Sequence, residues 1–114
     1  MRAAARARVE RHARAAAALL EPAVGRGLEI VWCRELPPLR GYTTHALAWT
    51  DPGDHWILIN ETLWRTSSAD EREDTIRHEI AHVVAWYRYG TRIADHGREW
   101  ARTRQSLDAA LAEE

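Results

Sequence analysis

The 114-residue chain reads as one α+β domain, ordered as a helix, three strands and two further helices. Three observations predict this. The first 21 residues are almost all strong helix formers. Between residues 28 and 60, three stretches rich in β-branched and aromatic residues are separated by proline and glycine. A capping-box sequence then opens a long helical pattern that stops at a glycine. No internal repeat, linker or low-complexity segment breaks the chain, and its length suits a single domain spanning residues 1–114.

The first helix is expected over residues 3 to 21, "AAARARVERHARAAAALLE", ended by Pro22 and the glycines at 25 and 27. Val9, Ala13, Ala16 and Leu20 recur at helical spacing and give a narrow apolar stripe opposite an arginine-rich face. "LEIVWCR" (28–34) is the first strand, stopped by Pro37 and Pro38. "YTTHALAW" (42–49) is a second, weaker strand and "HWILIN" (55–60) a third. The turn "TDPGD" between these last two makes them an antiparallel hairpin, and the sheet is expected to be antiparallel throughout. Ser68 and Glu71 form the capping box of a helix that runs to about Tyr89 and ends at Gly90. A last helix covers roughly 97 to 112, with Trp100, Leu107 and Leu111 on one side.

Composition narrows the function classes. Apolar content of 46% and charged content of 29% exclude a disordered or fibrous chain. A net charge of -1 announces neither a nucleic-acid nor a membrane partner. Every one of the sixteen cations is an arginine; Arg2, Arg6, Arg8, Arg11 and Arg14 load the first helix, and Arg98, Arg102 and Arg104 the last. The lone cysteine, Cys33, rules out an internal disulfide and fits a reducing compartment. Neither a signal peptide nor a membrane-spanning segment is recognisable, so a soluble, cytoplasmic protein is expected.

The chemistry concentrates in "HEIAH", residues 78–82. Residues four apart on a helix project from one face, so His78 and His82 can hold one Zn²⁺ through two imidazoles. Glu79, rotated about 100° from His78, is too far round to be a third ligand but can serve as general base toward the metal's water. On the helical wheel, Ile76, Ile80, Val83 and Tyr87 make an apolar face. Asp74, Arg77 and Arg88 lie on another, with Ala81 and Ala85 near them and the histidines beyond. A catalytic zinc needs a third protein ligand and leaves its fourth position to water. The spacing leaves that ligand open among His96, Asp95, Glu99, His45 and His55. Ala85 and Arg88 stand where a metzincin has its glycine and third histidine, so that class is excluded.

"HEIAHVVAWYRYG" followed by "HGREW" resembles the SprT-like zinc metallopeptidases, the family that includes the Spartan proteases. "GYTTHALAW" and "ILINETLW" match upstream family segments, so the resemblance spans roughly residues 28 to 104. It implies a minimal zincin: an N-terminal helix, a three-stranded antiparallel sheet, the HExxH helix and a C-terminal helix. It also implies zinc ligands at His78, His82 and His96, Glu79 as general base, Gly97 at the turn presenting His96, and Trp100 packed beneath. The implied activity is peptide-bond hydrolysis, extending to DNA-bound or DNA-crosslinked protein. Many family members add a zinc ribbon, and no cysteine pair is present for one here. Any nucleic-acid contact is therefore expected to be weak and to run through the arginine-rich helices. The rival reading is a zinc-stabilised binding module with little turnover. Trp86 and Trp100 are expected in the core, and Trp49, Trp56 and Trp64 in the core or along a peptide-binding wall. Asn60 and Glu61 are expected to serve as turn or cap residues.

Overall fold

A computed structural model describes residues 1–34 and 46–114. The predicted first helix is α1 (Ala3–Leu20), and a short α2 (Pro22–Gly27) follows it. Proline at the first helical position ends one helix and begins the next, because its fixed φ suits a first turn that needs no donor there. Gly25 lets the two helices touch: a Cβ there would lie 2.5 Å from the Cβ of Ala18 and 2.8 Å from the carbonyl oxygen of Arg14.

Three strands follow, β1 (Glu29–Cys33), β2 (Ala48–Trp49) and β3 (Trp56–Asn60). The expected hairpin forms: β2 and β3 are antiparallel, with Ala48 opposite Ile59 and Trp49 opposite Leu58. Gly53, at φ +84°, takes the left-handed corner of the turn between them. The expectation of a wholly antiparallel sheet fails, because β1 and β3 run parallel. The spatial order is β1-β3-β2. Chain direction alternates along the sequence, so placing the middle strand outside brings two like-directed strands together. Half of the second-strand stretch, 42–45 with His45 and Tyr42 in it, lies outside the described residues, as do Pro37 and Pro38.

Asn60 ends β3 and caps α3 (Glu61–Thr66), its side-chain oxygen accepting from the Leu63 amide at 3.2 Å. Ser68 and Glu71 close the capping box at the start of α4 (Ala69–Tyr89). Gly90, at φ +87°, stops that helix, and α5 (Arg98–Ala112) returns along it.

Alternation on the strands turns Ile30, Ile57 and Ile59 toward the helices, where they meet Ala13, Ala16 and Ala17 of α1 and Ile76, Ile80, Val83 and Val84 of α4. The alanine face of α1 permits close approach. From Glu79 to Trp86, every residue of α4 is buried. The wheel is corrected at two places: Ala81 and Ala85 are fully buried rather than beside a polar face, and Tyr87 is 48% exposed. Gly25→Ala is expected to cost on the order of 1–3 kcal/mol by forcing α1 from α2. Urea unfolding reads this directly, and an unchanged midpoint would show that the two helices are not held at that spacing.

Candidate metal centre

Helix α4 supplies two corners of the site and the segment before α5 the third. His78 and His82 lie one turn apart with their Nε2 atoms 3.3 Å from each other. His96, fourteen residues after His82, brings its Nε2 to 3.1 Å from both. Gly97 allows that approach through space, not unusual backbone angles: at φ -81° any residue is comfortable, but a Cβ would meet that of Ala94 at 2.8 Å. Trp100, one turn into α5, has its ring centroid 4.9 to 5.5 Å from all three imidazoles. Its indole N–H donates to the carbonyl of His78 at 3.2 Å. Trp86 stacks on His82, at 5.0 Å and 19°.

The triangle suits a metal ion. Two nitrogens each about 2.05 Å from a tetrahedral ion stand about 3.3 Å apart, and the three separations here are 3.1 to 3.3 Å. Burial also holds His78 and His82 toward the neutral form that can ligate a metal. Burial, then the neighbouring His78, pushes the pKa of His82 down to about 4. Burial, then His96, lowers that of His78. Among the described residues, this is the group of three whose ligand atoms converge within 4.8 Å.

Glu79 stands beside the triangle, 8% exposed. Burial, and secondarily the charge of Asp95, pushes its carboxyl up to about 8. With His78 it lines a cleft of about 210 Å³, completed by Leu47, Ala48, Asp74 and Thr75. Sequence reasoning did not single out Leu47, Ala48 or Thr75 for the site and placed Asp74 only on a polar face. Asp74 and Thr75 each lie four residues before His78 and Glu79, a spacing that could have found them. Larger surface hollows exist, such as one of about 340 Å³ between α1, α3 and α4, but among the described residues no three converging ligand atoms line them.

The other candidates for third ligand separate clearly. Asp95 turns its carboxylate to the Nδ1 side of His82 and of His96, 3.7 Å from each, behind the converging nitrogens. Glu99 is not part of the cluster. His55 packs edge-on to Tyr87 at 6.0 Å, outside it. His45 lies outside the described residues. His12 pairs with Glu73 across α1 and α4 at 2.7 Å. Of the tryptophans, Trp64 and Trp86 are buried, while Trp32, Trp49, Trp56 and Trp100 are half-buried.

Two histidines on a buried helix, a third from the following turn and a carboxyl beside them define the class: a compact α+β domain with a three-histidine site able to hold a metal ion. The chain belongs to the SprT-like family, whose model matches residues 4–113. It is 36% identical over 47 residues to Protein SprT of Pseudomonas fluorescens, covering 41% of this chain and 29% of that protein. It is 38% identical over 47 residues to Protein SprT of Pseudomonas putida, with the same coverage. The matched segment is thus under a third of these relatives' length. No solved structure matches the chain. No helix among the described residues is long and apolar enough to cross a membrane.

The raised carboxyl of Glu79 makes a stability prediction for the metal-free protein. A carboxyl held at about 8 when folded, against its ordinary 4.5, keeps its proton in the fold and loses it when unfolded. Its stabilising contribution is full below pH 4.5 and declines as pH rises to about 8. Metal-free Glu79→Gln should therefore match the parent in melting temperature near pH 4 and exceed it increasingly up to pH 8. Parallel melting curves across that range would contradict the assignment.

Proposed function

We propose that this domain is a zinc-dependent metalloendopeptidase. The convergence of three imidazole nitrogens beside a buried glutamate, on a cleft bordered by an edge strand, is the observation that supports it most. Zinc bound to His78, His82 and His96 would supply Lewis acidity and acidify a water in the fourth position. Glu79, which lines the same cleft as His78, would take the proton from the attacking water and pass it to the leaving amine. Its burial keeps bulk water from competing for that proton.

An extended peptide would lie along β2. The Asn60 amide donates to the carbonyl of Leu47 at 2.9 Å, making Leu47–Asn60 a hydrogen-bonded pair. In an antiparallel ladder such pairs alternate with open ones, so the backbone groups of Ala48 turn toward the outer edge of the sheet. That edge borders the cleft holding His78 and Glu79, and a substrate strand added there would pass the site.

The proposed substrate class extends, only by analogy with the Spartan proteases that the sequence resembles, to protein bound or crosslinked to DNA. Exposed arginines on α1 (Arg2, Arg8, Arg11) and α5 (Arg98, Arg102) offer a weak phosphate-facing surface. The single cysteine fits action in the cytosol.

Two measurements test the proposal. Purified parent should contain one zinc per chain and His96→Ala almost none; unchanged zinc in that variant would remove His96 from the ligand set. Glu79→Gln should keep its zinc and lose hydrolysis of an unfolded protein substrate by about 10²–10⁴-fold. Equal behaviour of variant and parent in both respects would leave a zinc-stabilised binding module as the reading. Separately, Ala48→Pro removes one outward-facing donor and should raise KM for long peptides more than it lowers kcat. An unchanged KM would rule out strand addition on this edge.

A further inference from the structure

We infer that Asp95 is a shared positioning carboxylate, one oxygen receiving the Nδ1–H of His82 and the other that of His96. The inference rests on the reading of the three histidines as metal ligands. A histidine that ligates through Nε2 must carry its remaining proton on Nδ1, and that N–H needs an acceptor. The Nδ1 of His82 is buried and has no hydrogen-bond partner among the described residues. The Asp95 Oδ1 atom stands 3.7 Å from it, and Oδ2 stands 3.7 Å from the Nδ1 of His96. Closing each gap by about 0.8 Å gives two ordinary hydrogen bonds.

Three further features favour this role over a structural one. The Asp95 side chain is 70% exposed, so it holds up no core. Among the described residues no arginine stands within ion-pair distance of it, so the two imidazoles are its charge-assisted partners. The two rings come from different segments, His82 from the centre of α4 and His96 from the turn before α5. One carboxylate bridging both therefore fixes the more exposed ligand relative to the buried one. His78, whose carbonyl is held by Trp100, is positioned by other means.

The test is zinc affinity at fixed pH, by competition with a chromophoric chelator, for the parent and three variants of the full chain. Asp95→Ala should bind zinc about 10–100-fold more weakly. Asp95→Asn should lose less, since its one carbonyl oxygen can serve one ring. Asp95→Glu, which keeps both oxygens, should recover most of the affinity. The ligand-field bands of the cobalt-loaded protein should shift in Asp95→Ala and return toward the parent's in Asp95→Glu. Metal-free melting temperatures should agree among all four, as expected for an exposed side chain. Affinity within twofold of the parent for Asp95→Ala overturns the inference, and so do equal losses in all three variants. A parent that binds no zinc overturns instead the metal-site reading beneath it.

Discussion

The site depends on one helix being buried on every side. From Glu79 to Trp86, α4 meets the sheet, α1 and α5 with no solvent-facing residue. A helix so enclosed cannot rotate or slide without opening voids in a close-packed interior. His78 immediately precedes that stretch and His82 lies within it, so both nitrogens are carried by a helix fixed in the core. Ala81 and Ala85 are what make the enclosure possible. Both are fully buried, and their small side chains let neighbouring elements approach the helix flank beside the polar residues.

The third corner has no such anchor and is held by connections between helices. Arg77 of α4 bonds Asp108 of α5 at 3.0 Å, and Arg104 of α5 reaches back to Asp74 of α4 at 2.8 Å while also holding Asp108. Each pair is half-exposed and individually worth little. Linked, they set the register in which α5 runs along α4. Register is what the site requires, because His96 and Gly97 lead directly into α5 and Trp100 must fall on the three rings. The bond from Trp100 to the carbonyl of His78 ties the start of α5 to the helix turn that carries the first of the three histidines.

Features set by neighbours in sequence were legible, and features set by spatial order were not. The Ser68–Glu71 cap, the stop at Gly90, the hairpin around Gly53 and the facing of His78 and His82 each follow from a few consecutive residues. The parallel pairing of β1 with β3 does not, because nothing local says that the middle strand lies outside. The short helices α2 and α3 hid inside stretches that read as helix end and turn, although Pro22 and Asn60 mark their starts. Burial of Ala81 and Ala85 escaped the wheel because alanine is compatible with either environment. Spacing alone left five residues open for the third corner. The fold brings His96 to it and turns Asp95 to the rear of the rings.

Burial acts in opposite directions on the two kinds of ionisable group at the site. His78 and His82 are pushed toward their neutral form, which is the form that binds a cation. The same burial pushes Glu79 to about 8, so in the metal-free domain it holds its proton at neutral pH and cannot accept another. A divalent charge a few ångströms away favours the ionised carboxylate and works against that desolvation. The burial that suits His78 and His82 to holding a cation therefore keeps the neighbouring glutamate protonated in the metal-free domain. A single physical cause, exclusion of water from the flank of α4, acts on both: it favours neutral imidazoles at His78 and His82 and a protonated carboxyl at Glu79.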